Sequence, residues 1–267
     1  MKKAPKPVLS YIIIGLCVLL YAAAYFTPGL NSLEAAILFG AFYKPMILCG
    51  EYWRVLTVGL THGSLIHLFM NCYSLLVLGR FLEFRAGKLK YAFILMISVI
   101  GGSLFQLVGK DNTVCVGLSG GLYGLMAAMI YVLWKDGAMK SPTMQIYIRR
   151  VLITNLFINF LPNVAWKAHL GGVIAGLAIS VLLLSGEKEK ELKRHTVIAS
   201  VLLIAALAFF IPKNAEIRES ETYFLSDAHV LMVEKEIGLS AHADSMAKKL
   251  DALYNVDVSV YDMINGG

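Results

Sequence analysis

Charged residues are scarce in this sequence. Only 16% of its 267 residues are Asp, Glu, Lys or Arg, whereas an ordinary soluble domain carries about 25%. Hydrophobic residues make up 58% of the chain, and the mean hydropathy is +0.67. This composition excludes an ordinary soluble domain, and we expect lipid to surround much of the chain.

Cysteine is also rare, and Cys17, Cys49, Cys72 and Cys115 are the only four. No two of them have the spacing of a metal-binding or redox pair. We therefore interpret them as small apolar side chains that pack between helices. They predict no metal site and indicate nothing about the compartment.

Seven apolar stretches of 16–19 residues follow one another along the chain. A membrane-spanning helix needs about 20 residues, with a range near 17–25, so several stretches are short. The first is longer than the apolar region of a signal peptide, about 7–15 residues, and we interpret it as a retained span. The predicted spans are Val8–Phe26, Leu65–Leu82, Tyr91–Val108, Val116–Trp134, Ile146–Leu161, Trp166–Leu184 and Thr196–Ile211.

Lys and Arg are concentrated in alternate loops between these stretches. Because such loops stay in the cytoplasm, we expect a cytoplasmic N-terminus at residues 1–7 and, after seven spans, an extracytoplasmic C-terminus. The net charge of +6 then indicates an anionic membrane surface and no nucleic acid, since stacked Arg and aromatic residues are missing. Fifteen of the 24 basic residues lie in 1–7, 80–90, 135–150 and 186–195, against Lys44, Arg54, Lys110 and Lys167 in the opposing loops.

The last segment, residues 213–267, is acidic, with ten Asp or Glu against five Lys or Arg. We expect a small, mostly helical and solvated appendage, in which Ser226 is the N-cap of a helix. Binding of a substrate or partner is the alternative role. The sequence does not decide between the two, so the role of this tail stays open.

Polar side chains inside the spans are few, and each is a functional candidate because lipid makes it costly. The spans contain no Asp, and no H-E-x-x-H motif occurs in the chain. An aspartyl protease, which needs two carboxylates, and a zinc protease of that motif are therefore excluded. The candidates are His67, Asn71, Arg80, Glu83, Gln106, Ser119, Asn155, Asn159 and His169.

Four of these candidates lie near one depth. His67 is about two residues into the second span, Ser119 about three into the fourth and His169 about three into the sixth. These spans enter from the same side, and at 1.5 Å per residue all three side chains share the outer third of the membrane. Asn71 lies one turn deeper than His67 on the same helix face.

Glycines predict that the fourth and sixth spans touch. The fourth span has two overlapping small-xxx-small pairs between residues 117 and 124, and the sixth has Gly172 and Gly176 on the face of His169. Such glycines let helix backbones approach closely in lipid. This contact would bring the Ser119 hydroxyl within hydrogen-bonding reach of the His169 ring.

A serine hydroxyl becomes a nucleophile when a neighbouring base takes its proton, and His169 is the candidate base for Ser119. With no carboxylate near, the pair would act as a dyad, and we expect Tyr123, one turn after Ser119, to stack on the imidazole. The candidate oxyanion donors are the backbone N–H of Ser119, free at a helix start, and the side chains of His67 and Asn71.

Four short motifs contain these residues. They are Trp53-Arg54, then His62 followed by His67-x-x-x-Asn71, then Gly117-Leu118-Ser119-Gly120, and then Ala168-His169 with Gly172 and Gly176. In this order they resemble the WR, HxxxN, GxSG and AHxxGxxxG motifs of the rhomboid family of intramembrane serine proteases, over about residues 40–180. GxSG alone is a weak signal, whereas the four together are specific.

The resemblance implies an all-α polytopic membrane protein. Residues 8–185 would form a six-span rhomboid-like catalytic core, residues 196–211 a seventh span, and residues 213–267 an extracytoplasmic tail. It implies no cofactor and no metal, and substrates that are single-span proteins of the lipid bilayer, cut near the outer end of a helix. The short basic N-terminus favours a bacterial plasma membrane. Supporting residues would be Tyr123, Gly117, Gly172, Gly176 and His62.

Two other function classes are open. A catalytically silent relative would bind membrane helices without cutting them, although such a protein is expected to lose the serine or the histidine, and this chain has both. A transporter or channel also places polar groups in the membrane. It predicts internal repeats or helices broken at the midplane, and the sequence has no such symmetry.

Overall fold

The computed structural model describes residues 6–109, 114–162, 164–214, 221–254 and 259–266, so Lys2, Lys3 and Lys110 of the charge argument lie outside it. The described residues form thirteen α-helices and no β-strand, which confirms the predicted all-α fold. Three 3-10 turns lie at Val58–Leu60, Ala138–Lys140 and Glu187–Glu189. The helices are α1 (Val8–Tyr25), α2 (Ser32–Leu38), α3 (Lys44–Leu48), α4 (Arg54–Thr57), α5 (Leu65–Ala86), α6 (Lys88–Leu107), α7 (Ser119–Lys135), α8 (Pro142–Ile158), α9 (Trp166–Leu184), α10 (Lys190–Lys213), α11 (Glu221–Glu236), α12 (Ser240–Tyr254) and α13 (Val260–Asn265).

Each of the seven predicted spans overlaps one helix. α1, α5, α6, α9 and the Glu187–Lys213 segment that contains α10 are long and apolar enough to cross a membrane. α7 and α8 have 17 residues each, so for them the spanning role stays a prediction. α7 begins at Ser119 and not at Val116, because Gly117 has a φ of +108°, which a right-handed helix does not contain.

A buried carboxylate fixes α1 to the bundle. Glu83 of α5 accepts hydrogen bonds from the backbone N–H and the hydroxyl of Ser10, at 2.8 and 2.7 Å, and from the N–H of Leu9 at 3.2 Å. These N–H groups lie in the first turn of α1, where they lack intrahelical partners and favour a negative charge. The hydroxyl of Tyr91 lies 2.8 Å from that of Ser10. The charge of Glu83 is thus held by donors inside the protein.

Helices α7 and α9 touch through their backbones, as the glycine pattern predicts. A methyl group on Gly172 would overlap the carbonyl oxygen of Gly120, and one on Gly176 would overlap the backbone of Gly124. α6 packs against both helices, and its Ser98 side chain fills the space beside Gly124. Only glycine permits this approach, since any β-carbon would push the two helices apart.

We expect Gly176→Ala to lower the free energy of unfolding by about 1–3 kcal/mol, the usual cost of overpacking. Thermal unfolding in detergent measures the change. Gly15→Ala in α1 is the matched control, because an added β-carbon there has nothing within 4 Å. A Gly176→Ala protein that unfolds at the wild-type temperature would contradict the close contact.

The segment between α1 and α5 is organised around the buried guanidinium of Arg54. Its Nη1 donates to the carbonyls of Ile37 and Ala41 at 2.6 and 3.1 Å, and its Nε is paired with the buried carboxylate of Glu51. The ring of Trp53 lies 4.6 Å from the guanidinium carbon. Arg54 therefore joins α2, the turn that follows it and α4, because one planar group donates to several parts of the chain.

The C-terminal tail is mostly helical, as expected, but it is not a solvated appendage, so that part of the expectation is wrong. α11 and α12 pack on α2 and α3. Local sequence patterns do not predict this contact, because the two segments are far apart in the chain. Ser226 is not an N-cap either, because α11 begins at Glu221 and no Pro or Gly interrupts residues 221–225. The two segments form one shared core, to which the loop gives Ile37, Tyr43, Met46 and Cys49 and the tail gives residues that include Phe224, Leu231, Met246, Leu250 and Tyr254.

The carboxyl group of Asp227 lies at the shared core. Asp227 is inaccessible to solvent and accepts a 2.5 Å hydrogen bond from the hydroxyl of Tyr254. Burial raises the pKa of Asp227 from 3.8 to about 7, and the bond from Tyr254 opposes this shift only in part. Because the folded pKa exceeds the unfolded one, the group favours the folded tail at acid pH. That contribution is lost as the pH rises from about 4 to about 7.

Asp227→Asn is expected to remove this pH dependence, since an amide does not ionise and its oxygen still accepts the Tyr254 bond. The change in tail stability that the substitution causes should be more favourable at pH 8 than at pH 4, by on the order of 1–4 kcal/mol. Hydrogen exchange of the amides in α11 and α12 at both pH values measures this. Asp262→Asn, on the exposed face of α13, is the control. The same effect of Asp227→Asn at both pH values would refute the assignment.

Candidate active site

Ser119 is placed by a loop that requires glycine. The chain reaches it through Cys115, which exchanges two backbone hydrogen bonds of 3.0 Å with Phe42. Gly117 follows with a φ of +108°, and a β-carbon there would lie 2.6 Å from Nε2 of His67. α7 then begins at Ser119, so the backbone N–H of Ser119 has no partner within the helix.

The hydroxyl of Ser119 meets the ring of His169. Nε2 of the histidine lies 2.8 Å from Oγ of the serine, although the two residues are 50 positions apart. His169 is only 6% exposed and Ser119 is half-buried. The distance is that of an ordinary hydrogen bond, and in this geometry the hydroxyl can give its proton to the imidazole.

Tyr123 covers one face of the imidazole. Its ring is nearly parallel to that of His169, with 4.1 Å between centroids and 11° between planes. The stacking follows from sequence spacing, because residues four apart share a helix face and Tyr123 is one turn after Ser119. The hydroxyl of Tyr123 donates to the carbonyl of Asn155 at 2.9 Å, which holds the ring to α8.

Asn159 contacts the second nitrogen of the histidine, and this contact was not predicted. Its Oδ1 lies 2.7 Å from Nδ1 of His169. The sequence showed Asn159 as one of several polar residues in the fifth span, without a role. The available signal was its position near the end of that span, since a helix end next to α9 can reach the start of α9.

The predicted oxyanion residues lie beside the nucleophile loop. A β-carbon on Gly117 would be 2.6 Å from Nε2 of His67 and 3.7 Å from Nδ2 of Asn71. That Nδ2 donates one hydrogen to the carbonyl of His67 at 2.9 Å, and its second hydrogen can be donated to a substrate. His62 is buried and packs edge-on against His67, with ring centroids 5.2 Å apart. His62 therefore contacts the predicted oxyanion residue His67 and does not contact Ser119 or His169 directly in the described hydrogen bonds and ring contacts.

A large cavity joins these side chains. Its volume is about 1020 Å³, and apolar side chains of α5, α7 and α8 form most of its wall. Among the described residues, no group of three His, Cys, Asp or Glu is placed to hold a metal ion. The polar part of the wall includes His67, Asn71, Ser119, Tyr123 and His169.

Comparison with known proteins places these residues in a family context. A family profile described as Rhomboid domain matches residues 49–186. Rhomboid protease GluP of Bacillus subtilis is 26% identical over 269 residues, covering 96% of this chain and 52% of its own. Rhomboid protease AarA of Providencia stuartii is 27% identical, covering 85% of this chain and 90% of its own.

Plant proteins match a shorter part. Inactive RHOMBOID-like protein 8 of Arabidopsis thaliana is 32% identical over 138 residues, 51% of this chain. The chain spans about half the length of the first relatives, 52% of GluP and 48% of RHOMBOID-like protein 5. The matches include proteins named as proteases and one named as inactive. The choice between an active and an inactive protein therefore depends on the geometry of the site.

Proposed function

Because this chain belongs to the rhomboid family, we propose that it is an intramembrane serine protease that cuts transmembrane segments of single-span membrane proteins. The observation that carries the proposal is the 2.8 Å contact between Ser119 and His169 in a cavity among apolar helices. The relatives named as rhomboid proteases in two bacteria support hydrolysis of peptide bonds.

The proposed reaction is an acyl transfer. Oγ of Ser119 attacks the carbonyl carbon of the scissile bond while its proton passes to Nε2 of His169. The protonated ring then gives that proton to the leaving nitrogen, the C–N bond breaks, and an ester with Ser119 remains. Water attacks the ester with His169 again as base, which releases the acid and restores the serine.

The negative oxygen of the tetrahedral intermediate needs donors. The free backbone N–H of Ser119 is one of them, because the helix begins there. The side chain of His67 and the second Nδ2 hydrogen of Asn71 are the others, since both side chains lie beside Gly117, two residues before the nucleophile. Such donors stabilise charge strongly in a site with little water.

A silent protein that only binds membrane helices is the second candidate, and the relative named as inactive gives it a basis. The geometry favours catalysis, because a binding protein has no need for a buried histidine hydrogen-bonded to a serine hydroxyl. A binding role alone leaves this contact unexplained.

Cleavage by purified protein in liposomes, with a panel of single-span proteins as substrates, tests the proposal. We expect wild type to cut at least one of them, and Ser119→Ala and His169→Ala to cut none. Asn71→Ala should lower kcat by about 10²-fold, the usual loss of one oxyanion donor.

Ser180→Ala is the matched control. The hydroxyl of Ser180 is buried in α9 and, among the described residues, bonds only to the carbonyl of Gly176 at 2.6 Å, so its loss leaves the dyad intact. Equal cleavage by wild type and Ser119→Ala would reject Ser119 as the nucleophile.

We propose further that the active-site end of the bundle, with the tail, faces away from the cytoplasm. At the opposite end, Lys90 donates to the carbonyl of Leu183 at 2.9 Å, and Lys135 donates to that of Leu184. These basic side chains satisfy the last carbonyls of α9. They belong to the loops rich in Lys and Arg, which favour the cytoplasmic side.

Reporter fusions after Gly267 test this orientation in bacteria. Alkaline phosphatase fused there should be active and green fluorescent protein dark, because the first requires export and the second fluoresces in the cytoplasm. The same reporters inserted after Gly137 should give the reverse result. A bright fluorescent fusion after Gly267 would refute the orientation.

A further inference from the structure

The end of α8 leaves a carbonyl group without its usual helical partner. α8 ends at Ile158, and the N–H of Asn159 bonds to the carbonyl of Leu156 at 3.1 Å instead of continuing the helical pattern to Asn155. Two side-chain donors bond to the Asn155 carbonyl in its place. They are the hydroxyl of Tyr123, at 2.9 Å, and Nδ2 of Asn159, at 2.7 Å.

This carbonyl fixes the orientation of the Asn159 amide. A backbone carbonyl oxygen only accepts hydrogen bonds, so the NH₂ group of Asn159 has to face it and the amide oxygen has to face away. Nδ2 also lies 3.0 Å from the hydroxyl of Tyr123, whose own hydrogen goes to the same carbonyl. The amide oxygen is thereby directed at Nδ1 of His169, 2.7 Å away.

The orientation of the amide in turn selects the tautomer of the histidine. Because the amide oxygen only accepts, Nδ1 has to carry the hydrogen. A neutral imidazole has a single N–H, so Nε2 presents its lone pair to the hydroxyl of Ser119 at 2.8 Å. The serine therefore donates to the histidine, which is the direction that nucleophilic attack requires.

We propose that Asn159 is the positioning residue of the Ser119–His169 pair: its amide oxygen holds the Nδ1 hydrogen and keeps Nε2 free to take the serine proton. The proposal rests on the proposed protease function. During attack the proton moves from Oγ to Nε2, and the ring becomes positive with both nitrogens protonated. The bond from Nδ1 to Asn159 then becomes charge-assisted and stronger, so Asn159 stabilises the state in which the proton has moved.

An amide suits this place better than a carboxylate would. In the serine proteases with an aspartate, that residue holds the tautomer and stabilises the imidazolium, and losing the correct tautomer costs about 10⁴-fold in kcat. A carboxylate among apolar helices carries a desolvation cost that a neutral amide avoids. The neutral partner gives a weaker bond, so we expect a smaller loss when it is removed.

Two substitutions and one control test the role. Asn159→Leu keeps the size of the side chain and removes the acceptor. Asn159→Asp, in its neutral acid form, keeps an acceptor oxygen for Nδ1 and an O–H donor for the carbonyl of Asn155. Gln145→Leu is the control, because it removes an exposed amide on the same helix, away from the cavity, whose Nε2 donates to the carbonyl of Met139 at 2.9 Å.

We expect Asn159→Leu to lower kcat by about 10²-fold and to leave KM within about threefold, because the acceptor acts on the proton transfer and not on binding. Labelling of Ser119 by a fluorophosphonate should slow to the same extent, and the melting temperature should match that of Gln145→Leu. Asn159→Asp should recover at least about tenfold of the lost kcat. Gln145→Leu should keep the wild-type kcat.

Nitrogen NMR of protein labelled with ¹⁵N-histidine reads the tautomer directly, without substrate. The resonances of His169 are assigned by difference against His169→Gln. We expect wild type to hold the Nδ1–H form, and Asn159→Leu to give a mixture of both tautomers. This measurement does not depend on turnover, so it decides the role of Asn159 even if no panel protein is cleaved and the proposed function itself fails.

Four results would overturn the inference. The first three are a wild-type kcat and labelling rate in Asn159→Leu, an equal loss of kcat in Gln145→Leu, and a His169 tautomer that is the same in wild type and Asn159→Leu. The fourth is a loss of kcat in Asn159→Leu that accompanies a fall in melting temperature and is not recovered in Asn159→Asp, because it would assign Asn159 a structural role.

Discussion

The backbone contact between α7 and α9 is the interaction on which the active site depends. Lipid tails are as apolar as leucine, so close packing has to hold two membrane helices together. Gly120 and Gly124 meet Gly172 and Gly176 with no room for a methyl group. Because the serine and the histidine each lie within a turn of this contact, their separation is a consequence of helix packing. The hydrogen bond between them adds little to holding the helices in place.

Buried carboxyl groups have different environments in the helix bundle and in the tail. In the helix bundle, the carboxylate of Glu83 is bonded to the first turn of α1, and at His169 a neutral amide occupies the place where soluble serine proteases have an aspartate. Hydrogen bonds connect Asn155 through Asn159 and His169 to Ser119. The backbone carbonyl of Asn155 decides which group donates and which accepts in each of them, so no charged group is needed. The tail is outside the spans, and there Asp227 is buried with a pKa raised to about 7.

Much of the site was predictable because it follows from the spacing of residues along single helices. Helix periodicity places Tyr123 on the face of Ser119, and residue counts place Ser119 and His169 at one depth. The contact of Asn159 was not predictable, since it requires α8 to end at Ile158 whereas apolar residues continue to Leu161. Where a helix ends inside a bundle is set by tertiary contacts with weak local signals. The docking of the tail was not predicted for the same reason, since it too is a tertiary contact. Nζ of Lys249, for example, donates to the backbone carbonyl of Cys49, 200 positions away.

The shared core of the tail and the hydrophobic core of the helix bundle meet at two neighbouring residues. Tyr43 packs with the tail, whereas Phe42 packs with α5, α6 and α7. Consecutive side chains of an extended segment point to opposite sides, so one short segment can serve both cores. The same Phe42 pairs with Cys115, two residues before Gly117. The loop that presents Ser119 is therefore held on one side by the membrane helices and, through this segment, on the other by the tail. Local unfolding of the tail would remove the support on the tail side.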